Sequence, residues 1–337
     1  MRSFLHKKGV ELSLKTYFVT SLSYMALGLF SSLIIGLIIR TTGQQIPILE
    51  FLVPMGQLAM DLMGPAIGVA VAYGLKAPRL VLFSAVITGA AGALLGGGPA
   101  GSFIAALIAT EIGKLVSQET RLDIIVTPFV TIATGYTVAT TIGPVIAGAL
   151  DYFGQLIMWS VDRQPFVMGI LVALLMGLAL TAPISSAAIA FMLGLEGLAA
   201  GAATVGCAAQ MIGFATSSYR ENGFSGFVAL GIGTSMLQIG NIVKNPLILI
   251  PPTVAGIVLA PFATIVFQMV NNPAGAGMGT SGLVGQIMTF TVMGFTWEVA
   301  IGVLLLHFIG PAVISLVLSE WLRKVGLIKL GDMKIEQ

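Results

Sequence analysis

Residues 271–286 read NNPAGAGMGTSGLVGQ, from Asn271 to Gln286, and stand between two long apolar runs at 253–270 and 287–318. The stretch holds five glycines and a proline and no charged residue. Glycine costs a helix interior about 1 kcal/mol relative to alanine, and proline about 3, so a plain membrane helix would not be written this way. Backbone outside a helix cannot face lipid, because each unsatisfied N–H or C=O costs several kcal/mol there. It is tolerated only where protein buries it or a watery cavity borders it. The stretch therefore predicts re-entrant or broken backbone at a solute site; the plainer alternative is a glycine-rich loop outside the membrane.

The chain around it is overwhelmingly apolar. Of 337 residues, 56% are hydrophobic and only 9% charged, and the mean hydropathy is +0.99. A soluble domain carries about 25% charged residues, so the composition predicts an all-α polytopic membrane protein and excludes a soluble enzyme. Cations crowd both ends: Arg2, Lys7, Lys8 and Lys15 at the start, Arg323, Lys324, Lys329 and Lys334 at the finish. By the positive-inside rule both termini are cytoplasmic, which requires an even number of spans. No small-residue cleavage site follows the first apolar run, so a removed signal peptide is not expected. The lone Cys207 cannot form an internal disulfide or a thiolate cluster, and His6 and His307 cannot build a histidine-rich zinc site. No metal, cofactor or catalytic residue is expected, and no nucleic-acid partner. A Walker A motif is absent, which argues against ATP hydrolysis by this chain.

Apolar runs near 17–39, 46–73, 80–95 and 102–116 are separated by polar links, by GLKAPR and by the glycines Gly96–Gly98. The charged SQETRLD at 117–123 follows, then IIVTPFVTIATGYTVATTIGP at 124–144, and a run to Val161. The second half resembles the first. Gly28 pairs with Gly169, Gly64 with Gly206, Gly97 with Gly240 and Pro128 with Pro273, at offsets of 141, 142, 143 and 145 residues. Secondary transporters are often built from such repeats, with the site on Gly/Pro-interrupted segments at matching positions. Those segments here are Thr127–Gly143 and Asn271–Gln286. The expected plan is about ten spans in two pseudo-repeats, 1–163 and 164–322, each with one re-entrant stretch, and a cytoplasmic tail at 323–337. Six spans per half, in parallel, fits the charge pattern as well.

The candidate solute-binding groups are Thr127, Thr131 and Thr134 in the first stretch, with Thr137 nearby, and Asn271, Asn272, Thr280, Ser281 and Gln286 in the second. Hydroxyls and amides both donate and accept hydrogen bonds, which suits a neutral, polyhydroxylated, sugar-like ligand. Ionisable residues inside a membrane are functional-site candidates because of their cost. Glu298, beside Trp297, and Asp61 are therefore added as ligands or proton carriers; for Glu298 the rival is an interfacial Trp–Glu pair. His307 is a structural or catalytic histidine. Glu111 is expected to pair with Lys114 at a solvated helix end, and Glu196 to be a buried acid or a turn residue. Cys207 reads as a packing residue. Small pairs four apart, Gly64 with Gly68 and Gly92 with Gly96, allow close helix packing or a dimer contact.

The basic leader, the hydrophobic plan, GGGPAGSFIAALIATEIGK at 96–114 and PAGAGMGTSGLVGQ at 273–286 resemble the PfoR-like, IIC-like membrane proteins grouped with the perfringolysin regulator. Those are described as phosphotransferase-system IIC components. The resemblance spans nearly the whole chain and implies a dimeric carbohydrate carrier of the bacterial cytoplasmic membrane, working with separate IIA and IIB proteins. It also implies an elevator-like shift of a core domain. The glucose-type Gly-Ile-Thr-Glu motif is absent, its nearest counterpart being Thr296-Trp297-Glu298, and the chain has no IIA or IIB domain. Two alternatives stand beside the carrier: a membrane-embedded ligand sensor or regulator, and an ion-coupled transporter without phosphorylation.

Overall fold

The computed structural model describes residues 5, 7–11, 13 and 16–335. Arg2 and Lys15, among the cations named above, and His6 lie outside the described residues. The described chain is helical, with one isolated antiparallel bridge between Gly197 and Asn271. Among the described residues, six helical stretches are long and apolar enough to cross a membrane. The chain divides into two compact units, residues 1–150 and 151–337.

In the first unit, α1 (Ser21–Gln44) packs against a bent pair, α2 (Leu52–Asp61) and α3 (Met63–Gly74), which meet at 51°. Next come α4 (Arg79–Gly92) and α5 (Gly98–Val116). By length these two form one apolar stretch of 38 residues, yet they lie side by side. The Ser102 hydroxyl donates to the Gly89 carbonyl at 2.8 Å, so the chain reverses between them. Gly96 (φ +92°) and Gly98 (φ +53°) make that turn, in a conformation that L-residues with a side chain avoid. The glycine run is thus a hairpin between two helices, as expected. At the far end of α5, Lys114 bonds Glu111 at 3.0 Å and the Gly9 carbonyl at 3.0 Å. The leader covers this pair and Lys114 is only 2% exposed, so the solvated end expected for Glu111–Lys114 is instead a buried one.

Helix α6 (Asp123–Val161) is continuous over 39 residues and contains both Pro128 and Pro144. It begins in the first unit and ends in the second. The re-entrant reading of Thr127–Gly143 is therefore corrected. Pro128 and Pro144 each remove one bond of the helical ladder without interrupting the helix. The threonine hydroxyls bond within the same helix, as described below.

The second unit is arranged around α9 (Gly197–Ser217), which follows α7 (Pro165–Thr181) and α8 (Ser186–Met192). Every residue of α9 from Ala199 to Ala215 is buried. Two thirds of its residues are Gly, Ala, Thr or Cys, which lets neighbouring backbones approach closely. A Cβ at Gly201 would collide with the Met269 carbonyl, and one at Gly206 with the Ala173 carbonyl. Helices α7, α12 (Pro246–Val266) and α15 (Trp297–Lys324) pack around this post. Between α9 and α12 lie two short helices, α10 (Tyr219–Val228) and α11 (Ile239–Lys244). The C-terminal residues fold back on them: Asn222 and Gln238 each donate to the Met333 carbonyl at 2.8 Å, and Asn241 to Lys334 at 2.8 Å. Beneath that return, Arg323 pairs with Glu221 at 3.3 Å, and the carboxylate is 2% exposed.

Candidate functional site

The stretch Asn271–Gln286 is broken backbone, as its glycines predict. Asn272 caps a four-residue helix, α13 (Pro273–Ala276), its side chain accepting from the Gly275 N–H at 3.0 Å. Proline at the first helical position completes this start, since its missing N–H would be unbonded there in any case. The helix ends after one turn and the chain runs through Gly279 (φ +52°), Gly282 (φ +53°) and Leu283 (φ +59°) before α14 (Val284–Met293) begins. A Cβ at Gly279 would stand 2.6 Å from the Cys207 carbonyl carbon and 2.7 Å from the Ala208 nitrogen. Only glycine supplies both the left-handed turn and that approach to α9.

Polar side chains fasten the segment to its surroundings. The Asn271 amide donates to Thr204 Oγ1 at 2.9 Å, to the Gly285 carbonyl at 3.0 Å and to Thr289 Oγ1 at 3.0 Å. Its backbone exchanges hydrogen bonds with Gly197 at 3.1 and 3.2 Å. Thr280 donates to the Gly231 carbonyl at 2.5 Å and Ser281 to Gly233 at 2.9 Å. From α8, Ser186 donates to Gly277 at 2.7 Å. Cys207 packs beneath, with its thiol directed at the Met176 carbonyl 3.4 Å away, in keeping with a packing role. A second buried polar layer links α7, α9 and α12. In it Thr181 meets Ser235 at 2.8 Å and Gln210 at 3.3 Å, and Gln210 donates to Thr253 at 2.9 Å.

Of the residues named from sequence, Asn271, Thr280, Ser281 and Gln286 are buried together in this segment and Asn272 is half-buried. The others lie elsewhere. Glu298 and Trp297 are exposed in the first turn of α15, behind a Thr296 cap that accepts from Val299 N. A carboxylate at that position complements the helix dipole. Asp61 is exposed at the end of α2 and accepts from Gln57 at 2.6 Å. Glu196 is exposed in extended backbone just before α9 and makes no side-chain cap bond, so it is not a buried acid. Thr127 and Thr131 are fully buried in α6, donating to Asp123 at 2.5 Å and to the Thr127 carbonyl at 2.8 Å. Thr134 is half-buried one turn on, and Thr137 is exposed, donating to Ala133.

Sequence reasoning passed over Thr181, Thr204, Gln210, Ser235 and Thr289. Gln210 was the readable one, a lone amide in the small apolar run AATVGCAAQMIG. The first unit offers a different environment. A groove of about 830 Å³ between α1 and α3, lined by Tyr24, Leu27, Leu62, Val69 and Tyr73 among others, is almost wholly apolar, so a polar solute finds few hydrogen-bond partners in it.

No curated protein matches the chain. The family described as "Phosphotransferase system, EIIC" matches residues 19–335, which takes in both units and the whole broken segment. With its apolar spanning helices the protein is an integral membrane protein and a transport component. The chain belongs to the phosphotransferase-system EIIC family.

Proposed function

We propose that the protein is the carrier component of a sugar phosphotransferase system and moves a carbohydrate or related polyol across the bacterial cytoplasmic membrane. The observation that carries this reading is the broken segment Asn271–Gln286, fastened to Thr204 of α9 and to the Gly231 and Gly233 carbonyls by uncharged polar groups. Such groups exchange hydrogen bonds with a neutral polyhydroxylated solute without the desolvation cost of a charge. In the conformation described, those groups bond to protein. On this reading the solute takes over part of the bonding as the segment opens about Gly279 and Gly282. Asp61 and Glu298, both exposed near helix ends, serve as interfacial acids. Separate IIA and IIB proteins supply the phosphoryl group, and the carrier works as a homodimer. About ten spans in two repeats, with both termini cytoplasmic, complete the proposal; the cations at both ends support that orientation.

The test is uptake of labelled hexoses and hexitols by proteoliposomes, with and without the IIA and IIB proteins. Uptake that requires those proteins and falls in Thr280→Val supports the carrier. Binding without uptake under any condition assigns a sensor. Uptake driven by an ion gradient alone removes the phosphotransfer step.

A further inference from the structure

The apolar groove of the first unit runs lengthwise along its helices. On α3, Ala66, Val69 and Tyr73 line it at spacings of three and four residues, and Leu62 extends the row to the α2–α3 bend. Residues so spaced share one helix face. From Leu62 to Tyr73 the row rises about 16 Å. Tyr24, Leu27 and Ser31 of α1 line the other wall. One end of the groove differs from the rest. Tyr24, in the first turn of α1, and Tyr73, in the last turn of α3, meet there with ring centroids 5.8 Å apart. Tyrosine is enriched where membrane helices reach the headgroups. The turn to α4 follows at once, and in it the Lys76 N–H donates to the Tyr73 carbonyl at 2.9 Å. Arg79 opens α4 two turns before Val86, which also lines the groove, so the two share a side of that helix. Lys76 and Arg79 are exposed, and among the described residues neither meets a carboxylate. Asp61 adjoins Leu62 at the opposite end. An apolar trough thus opens onto a positive mouth, with an acid at its far end.

We propose that this groove binds one anionic phospholipid, with an acyl chain along Leu62–Tyr73 and the phosphate at Lys76 and Arg79. A polar solute needs hydrogen bonds that the trough lacks, whereas a chain of methylenes needs none. A phosphodiester carries a charge and acceptor oxygens that an ammonium and a guanidinium complement. Basic pockets between membrane helices take anionic headgroups in this way. In a zwitterionic lipid the choline cation offsets part of that attraction, so the mouth selects phosphatidylglycerol over phosphatidylcholine. The acid beside Leu62 repels a phosphate from the far end and so favours one orientation. The site lies wholly in the first unit and is independent of the carrier reading, which rests on the second.

The test titrates the detergent-purified full chain with dioleoyl phosphatidylglycerol or dioleoyl phosphatidylcholine and counts bound lipid by native mass spectrometry. Expected is one phosphatidylglycerol per chain, with an apparent Kd about tenfold or more below that of phosphatidylcholine. Lys76→Gln combined with Arg79→Gln should bring phosphatidylglycerol to the phosphatidylcholine level. Both side chains are exposed, so this variant keeps its fold and decides the matter alone if the next does not. Val69→Trp fills the trough and should weaken both lipids. Equal affinity of the wild type for the two lipids overturns the proposal, as does a preference that survives K76Q/R79Q. A folded V69W that binds both lipids as the wild type does places the chain elsewhere and overturns the groove assignment. Displacement of the lipid by millimolar inorganic phosphate would reveal a free-phosphate site and overturn the lipid one. If V69W turns a dimeric wild type into a monomer and neither prefers phosphatidylglycerol, the groove is a contact between copies of this chain, and the proposal falls.

Discussion

In α6, Thr131, Thr137, Thr140 and Thr141 each donate to a carbonyl one turn back in the same helix, and Thr127 donates to Asp123 one turn back. In residues 271–286, Thr280 and Ser281 donate instead to Gly231 and Gly233, nearly fifty residues away, and Asn271 reaches Thr204. Both stretches contain Pro, Gly and hydroxyl residues, yet one is unbroken helix and the other is not. The density and placement of glycine separate them. Residues 127–143 carry glycine at 135 and 143 with β-branched and aromatic residues between, whereas 275–285 has one at every second or third position. A helix absorbs the first pattern at about 1 kcal/mol per glycine. In the second, two glycines adopt left-handed angles that exclude helix outright. Hydroxyls inside a helix cap their own turn, whereas hydroxyls on broken backbone become fasteners to other elements.

The largest effect expected from this contrast is at Asn271. Asn271→Leu removes the donor shared by Thr204, Gly285 and Thr289, and should cost about 3 kcal/mol, within the range for breaking a buried network. Thermal unfolding in detergent reads it. A variant as stable as wild type would mean that the segment is not held by its polar bonds, and the contrast with α6 would collapse.

Glycine substitutions should split in sign. Gly279→Ala meets both a left-handed angle and the α9 backbone, and should destabilise by about 2 kcal/mol or more. Gly148, exposed in α6 with open space around its Cβ position, should gain up to about 1 kcal/mol as alanine. Equal effects at the two sites would show that backbone break and helix do not differ as described.

Much of this is legible in the sequence alone. Composition fixed the membrane class, the run Gly96–Gly98 marked a hairpin, and the clustered glycines of 271–286 marked a break. Each depends on local backbone preference, which sequence carries directly. The polar layers were not readable, because they depend on partners far apart in the chain: Thr181 with Ser235, Asn271 with Thr204, Gln286 with His307. Leu283 in a left-handed conformation runs against residue preference, so its own side chain does not announce it. The misreading of 127–143 came from counting residue types without asking whether a helix accepts them at those positions. Pro128 in particular costs α6 one ladder bond and does not break it.

Hydroxyl substitutions give a smaller, sharper version of the comparison. Thr280→Val cuts the bond to Gly231 and leaves that buried carbonyl short of a donor, for about 1–2 kcal/mol. Thr131→Val removes only a bond to the preceding turn of its own helix, whose carbonyl already serves the helix ladder. Even interhelical polar contacts in membranes average only about 0.6 kcal/mol, and T131V, which loses a bond within its own helix, should cost no more than that. If T131V proved the more damaging, the threonines of α6 would be doing more than capping their own turns.

The smallest effect lies outside the spans, where the leader meets the loop after α5. Lys8 pairs with Glu119 and donates to the Ser117 carbonyl at 2.5 Å. The hydrogen bond and charge of Lys8 hold the Glu119 carboxyl below its ordinary value. A carboxyl lowered in the folded state contributes stability above its unfolded pKa, about 4.3, and loses that contribution as pH falls through the lower folded value. Between pH 5 and 8 the contact should not change. On acidification, trypsin-accessible opening of the leader should begin only below the ordinary carboxylate range. Glu119→Gln should abolish that acid dependence and speed cleavage at Lys7 and Lys8 slightly at neutral pH, because the Ser117 bond persists and exposed pairs are weak. Cleavage that is fast in the variant at every pH would make Glu119 the main tether of the leader. An unchanged acid profile in the variant would show that another group, not this carboxylate, titrates there.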